Sequence, residues 1–171
     1  FSDNFSFDIP GPWYYEQRLL GFNYRITEIQ AALGISQLKK LDKFVKKRNK
    51  LVSYYREKLS NSEFFTLLEE PKKVYSSYHL AIIKIKNSNK LIHKNLFEWM
   101  RKNNVWVQLH YWPIHLQPYY QKMGFKKGYL KNSEFYAESC FSIPLHYQTK
   151  RKEQNLVLEL LEKGIREIKN L

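Results

Sequence analysis

Two short stretches gather side chains that could do chemistry. In the first, GFNYR at residues 21–25, Asn23, Tyr24 and Arg25 stand just ahead of Thr27, where a helix signal begins. Backbone N–H groups at a helix start, joined by an amide and a guanidinium fork, suit an anion. The plainer reading pairs Arg25 with a surface carboxylate and packs Tyr24 in a core. In the second, VQLHYWPIHLQPYY at residues 107–120, His110, Tyr111 and His115 surround an aromatic turn fixed by Pro113. Imidazole, phenol and indole suit the face of a sugar or a base, and a purely structural aromatic turn is the alternative. No metal is expected there. Histidines five residues apart match neither helical nor strand ligand spacing, and no carboxylate or cysteine is near in sequence.

Other chemistries leave no trace. There is no Ser/His/Asp arrangement, Walker loop or GxGxxG, and the six glycines never adjoin. The single cysteine, Cys140, excludes an internal disulfide and reads as a small buried residue rather than a nucleophile. His79 reads as a core histidine opening a strand, and His93 and His146 as surface or edge residues.

The elements that must position these residues follow from periodicity and caps. Pro10, Gly11 and Pro12 break regular structure, so residues 1–18 read as a loop leading into a helical turn over 13–20. Thr27-Glu28-Ile29-Gln30 fits a capping box. Leu38, Leu41, Val45, Val52, Tyr55 and Leu59 continue a helical stripe opposite a lysine-rich face. Unbroken, a helix over 27–59 would span on the order of 50 Å, long enough to join two regions or meet a partner. Residues 77–86 and 105–110 alternate as strands. Between them Leu91, Leu96 and Trp99 or Met100 make a helix ended by Asn104. A short helix before Gly124, one capped by Asn132 or Ser133, a brief strand at FSIPL and a terminal helix with Leu156, Leu160 and Ile165 complete the order. Helices packed on a small sheet define an α+β layer. Its boundaries are a leading loop at 1–26, a linking helix at 27–60 and a small domain at 61–171.

The 171 residues suffice for a domain with a real core. Net charge is +13, from 29 basic and 16 acidic residues. That balance admits nucleic acid, membranes, phosphorylated small molecules or simply a solvated basic surface. The basic face at 39–50 lacks base-reading signals, so nucleic acid is not expected. No apolar run long enough to span a membrane and no signal peptide is visible, which makes a cytoplasmic location the expectation.

GPWYYEQRLLGFNYRITEIQAALGISQLKKLDKFVKKR resembles the DegT/DnrJ/EryC1/StrS family of sugar aminotransferases, as do SSYHL, VQLHYWPIHLQPYY and AESCFSIPLH, in order along nearly the whole chain. The resemblance implies aminotransferase fold type I, dependent on pyridoxal 5′-phosphate (PLP), and a homodimer through the long helix. It implies amino transfer, usually from glutamate, to C4 of a UDP-4-keto-6-deoxy sugar, in the branch that feeds pseudaminic acid-type surface glycans. Asn23 and Arg25 would lie on the cofactor side, with Asn23 reaching the partner subunit's cofactor phosphate. Tyr24, His110, Tyr111 and His115 would lie on the nucleotide-sugar side. The family's Schiff-base lysine sits in a Ser-x-x-Lys segment followed by Gly-Glu-Gly-Gly, and its Asp partner for the pyridine nitrogen also lies upstream. Neither segment is in this chain. The resemblance therefore implies the C-terminal portion of such an enzyme, inactive by itself. A non-catalytic remnant that only dimerises with an intact copy, and a basic nucleic-acid-binding module, stay open as alternatives.

Overall fold

The computed structural model describes residues 11–170. The first ten residues of the expected leading loop lie outside that range. The chain forms two units that divide between Lys39 and Lys40.

In the first unit, Tyr14 N–H donates to Gly11 O at 3.0 Å in a single turn, and no helix follows over 13–20. Residues 20–27 have no regular structure. The capping box forms as its residues dictate. Gln30 N–H donates to Thr27 Oγ1 at 3.3 Å, and Thr27 N–H donates to Gln30 Oε1 at 2.9 Å. Two orphan amides are thereby satisfied, and α1 runs Glu28–Leu38 with no buried residue.

The helix expected over 27–59 is thus two helices. A turn at Lys39–Lys40 separates α1 from α2, Leu41–Leu59. Only the second half of the stripe is buried. Leu51, Val52, Tyr55 and Leu59 enter the core, whereas Leu38 and Leu41 stay exposed.

The second unit is built on a three-stranded antiparallel sheet in the order β1-β2-β3: Phe65–Leu67, Ala81–Ile85 and Cys140–Ile143. β1 falls in a region read as a break, because three residues are too few to show alternation. Ile83 opposes Leu67 on one side and Phe141 on the other. Residues 105–110 do not form a strand but touch β3 through one bridge, Gln108 to Ser142.

α3, Lys90–Lys102, starts at Asn89, whose side chain accepts from Leu91 and Ile92 N–H, both at 2.9 Å. It ends at Lys102 with Asn103 as its C-cap; Asn104, the expected cap, follows in the left-handed conformation (φ 59°). α4 is Pro118–Gln121, and α5 is Lys131–Ala137. The residue flanking α5 is Leu130, with no side-chain cap, rather than Asn132 or Ser133. α6, Arg151–Lys169, buries Val157, Leu161 and Ile165, and the expected Leu156 is exposed.

α2, α3, α6 and the three strands share one core that includes Val52, Tyr55, Ile83, Leu96, Met100, Phe141 and Leu161. The Trp99 indole donates to Leu160 O at 3.0 Å. It lies so close to Gly164 that a Cβ there would overlap its ring. This core carries the 105–117 segment on its surface.

Candidate functional site

The candidate residues fall in both units, and each group stands on different support. In the first unit, Asn23, Tyr24 and Arg25 are exposed. Tyr24 stacks on Phe22 with ring centroids 5.2 Å apart. Neither Asn23 nor Arg25 makes a side-chain hydrogen bond or ion pair among the described residues, so the plainer reading's carboxylate for Arg25 is not found there. Both stand on irregular backbone immediately before the α1 N-cap, Thr27. An amide and a guanidinium next to a helix start supply hydrogen-bond donors and positive potential for a phosphate.

The second group is built from the core outward. Val105 N–H donates to Met100 O at 2.9 Å, which turns the chain back after α3. The Arg101 fork donates through Nε and Nη2 to Val107 O at 3.1 and 2.8 Å. Gln108 and Ser142 exchange backbone bonds of 3.2 and 2.8 Å. Ser142 Oγ donates to Gln108 O at 3.0 Å and lies 2.9 Å from His110 Nδ1. The hydroxyl has one proton, and it is already committed. With that proton directed at Gln108 O, the contact to His110 is made by an Nδ1–H, and Nε2 is left to face other partners. Tyr111 packs edge-on against His110, at 4.8 Å between centroids, and is itself exposed.

His115 takes a different place from the one expected of a sugar contact. It is buried, and its Nε2 lies 2.8 Å from Glu134 Oε1. A carboxylate only accepts, so Nε2 donates. The other ring nitrogen, Nδ1, is buried without a partner. Glu134 Oε1 also accepts from Gly128 N–H at 2.7 Å. The hydrogen bond from His115 is the main force holding the Glu134 carboxyl below its ordinary value. Trp112 lines two cavities, of about 210 and 290 Å³. The first includes Leu116, Gln121 and Glu134, and the second His93, Phe97 and Leu109.

The remaining histidines redistribute. His79 is exposed although it was read as core. His93, read as a surface or edge residue, is buried, and its ring sits 2.9 Å from Cys140 O. The carbonyl accepts, so Nε2 is protonated, and burial pushes the imidazole below its ordinary value. Cys140 is buried as expected, and burial raises its thiol away from thiolate chemistry. Among the described residues no group of histidine, cysteine and carboxylates could hold a metal. No lysine among them is buried. The donors at Asn23 and Arg25 fit a cofactor's phosphate; its covalent anchor has no candidate among the described residues. Glu134, Tyr136 and Ser142 escaped the sequence reading because they act through partners 19 to 34 residues away.

Comparison with known proteins gives the family and the fold. Residues 5–162 match the model of the DegT/DnrJ/EryC1/StrS aminotransferase family, and the chain belongs to that family. An uncharacterized protein of Methanocaldococcus jannaschii is 36% identical over 138 residues, which are 80% of this chain and 36% of that protein. The UDP-4-amino-4,6-dideoxy-N-acetyl-beta-L-altrosamine transaminase of Campylobacter jejuni serotype O:2 is 30% identical over 158 residues, 92% of this chain and 42% of the enzyme. Among solved structures, Helicobacter pylori PseC, an aminotransferase of pseudaminic acid biosynthesis, superposes with a TM-score of 0.79 at 29% identity, over 92% of this chain and 42% of its own. The fold also matches Streptococcus pneumoniae Spr1654, described as a sugar aminotransferase, in its PLP form. That match has a TM-score of 0.83 at 22% identity, over 91% of this chain and 40% of Spr1654. The chain spans about two fifths of the length of the curated relatives it matches. Among the described residues no helix is long and apolar enough to cross a membrane.

Proposed function

We propose that the chain is the C-terminal part of a PLP-dependent nucleotide-sugar aminotransferase. The whole enzyme would move an amino group from glutamate to C4 of a UDP-4-keto-6-deoxy sugar, in the cytoplasm, toward a pseudaminic acid-type surface glycan. The observation that carries this reading is the family match over residues 5–162, with transaminases of that nucleotide-sugar class among the relatives.

PLP supplies an electron sink for amino transfer. This chain supplies binding and orientation. Asn23 and Arg25 donate to the cofactor phosphate, Asn23 to that of a partner subunit. Their exposure and lack of partners support the role. Tyr24, His110 and Tyr111 face the nucleotide sugar. The His110 ring, oriented through Nδ1, offers Nε2 to a sugar hydroxyl. His115 belongs to the same side and acts from beneath the turn. Ile29, Leu33 and Ile35 are exposed apolar residues of α1, and they support a homodimer formed through that helix.

The chain has no Ser-x-x-Lys segment followed by Gly-Glu-Gly-Gly and no buried lysine among its described residues. Alone it does not transaminate. The test supplies PLP, glutamate and a UDP-4-keto-6-deoxy sugar to the chain by itself, and to the chain joined behind the cofactor-lysine domain of a family relative. Turnover only in the joined protein is the expected result. Turnover by the chain alone, or by neither protein, overturns the reading.

A further inference from the structure

The turn that carries His110, Tyr111 and Trp112 is gripped at both ends by one short helix. At its start, Tyr136 Oη donates to His110 O at 2.9 Å. Near its end, the buried His115 donates to Glu134 at 2.8 Å. Glu134 and Tyr136 lie two residues apart on α5. The same Glu134 oxygen also holds Gly128 N–H at 2.7 Å, which fastens the loop ahead of α5 to the same point.

Between the grips the side chains turn outward. Tyr111 and Ile114 are largely exposed, and Trp112 is about half exposed. A surface segment with that much aromatic area is ordinarily loose, because little of it is buried to offset its ordering. Here the ordering comes from below. His115 lies beneath the turn, and among the described residues its side chain's one polar partner is a carboxylate that also holds Gly128 N–H in the loop ahead of α5.

From these contacts we infer that Glu134 and Tyr136 are positioning residues that preform the 110–117 turn, and that His115 serves as their anchor in the turn rather than as a ligand contact. The inference rests on the reading above for what the turn presents: a rigid face of Tyr111, Trp112 and His110 Nε2 toward the nucleotide sugar. Preforming the face lowers the ordering cost of binding. It also assigns a use to a buried histidine whose Nδ1 is unsatisfied. The ring is held for its Nε2 contact, and the orphan nitrogen is tolerated.

The test uses the 171-residue chain itself. Amide hydrogen exchange is followed by NMR in the unaltered chain and in Glu134→Ala, Glu134→Gln and Tyr136→Phe. The reporters are Leu116 N–H and Gln117 N–H, which bond to Pro113 O and Ile114 O. The controls are Leu68 N–H and Lys86 N–H, in the β1–β2 region. Glu134→Ala is expected to speed exchange at the reporters by about tenfold or more while the controls stay within about twofold. Tyr136→Phe is expected to do the same to a lesser degree. Glu134→Gln keeps an acceptor oxygen and is expected to restore most of the protection. The His115 side-chain ¹⁵N spectrum should show a protonated Nε2 shielded from exchange, and the Glu134→Ala variant should lose it. Equal acceleration at reporters and controls would make the contacts ordinary core stability, and unchanged reporters would remove the grip; either overturns the inference.

Titration with UDP-N-acetylglucosamine then separates the inference from the reading on which it rests. Shifts at Tyr111 and Trp112 that vanish in Glu134→Ala and return in Glu134→Gln support both. Protected reporters with no shift at those residues in the unaltered chain leave the grip standing and count against the nucleotide-sugar face.

Discussion

The 110–117 turn and the 19–26 segment each hold half of the candidate residues, and they are supported in opposite ways. The turn is pinned by Ser142 of β3, Tyr136 and Glu134 of α5 and, through Val107, Arg101 of α3. Residues 19–26 have no regular structure, and Leu19, Leu20, Phe22 and Tyr24 are each more than four-fifths exposed. A segment that is hydrogen-bonded from behind can recognise a ligand as it stands. A segment with unpaired donors and bare apolar side chains leaves its contacts to other groups, which under the proposed function are the cofactor phosphate and a partner subunit.

The contrast predicts unequal responses to substitution. Phe141 is fully buried and edge-on to Phe97 at 6.1 Å. Phe141→Ala should cost about 3–5 kcal/mol in urea unfolding, whereas Phe22→Ala should stay within about 0.5 kcal/mol of the unaltered chain. Similar costs for the two would break the comparison. Gly164→Ala forces a methyl into the Trp99 ring and should cost about 1–3 kcal/mol; a neutral result would mean that the α3–α6 contact is looser than described. Ser142→Ala removes the acceptor for His110 Nδ1–H and the donor to Gln108 O. It should cost about 1–2 kcal/mol and release the His110 ring, seen as a change in its ¹⁵N tautomer signature.

Acidity should loosen the supported half in two stages. Burial holds His93 below its ordinary 6.5. Its stabilising share is therefore complete above that value and is lost as pH falls from it toward the lower folded value, because the unfolded chain takes up the proton first. Glu134, held down chiefly by the hydrogen bond from His115, loses its share below its ordinary 4.5. Urea midpoints taken from about pH 7.5 down to about pH 3 should fall in both windows, and His93→Gln should flatten the upper one. A midpoint that rises as the pH is lowered would contradict both assignments.

Local signals were the legible ones. Thr27 and Gln30 mark α1 because a capping box is complete within four residues, and Asn104 points to the end of α3, two residues beyond its last residue, Lys102. The break at Lys39–Lys40 carries no proline or glycine and could not be read. The first half of the apolar stripe looked like core in the sequence, yet Leu38 and Leu41 are exposed. Apolar periodicity says which face seeks burial and not whether this chain provides the cover. His93 looked like a surface residue because its acceptor, Cys140 O, is 47 residues away. The anionic corner and the aromatic turn were visible as residue types; the α5 residues that grip the turn were not, since nothing about Glu134 or Tyr136 marks a partner on another element.

Under the proposed function the exposed corner works on the cofactor and the pinned turn on the sugar. The most direct test of that division compares Asn23→Ala with His110→Ala in the joined, cofactor-loaded protein, measuring PLP retention and nucleotide-sugar KM for each. The account predicts a crossover: Asn23→Ala weakens PLP retention about tenfold with little change in sugar KM, and His110→Ala raises sugar KM about tenfold with PLP retention intact. Equal losses of both quantities in both variants would contradict it.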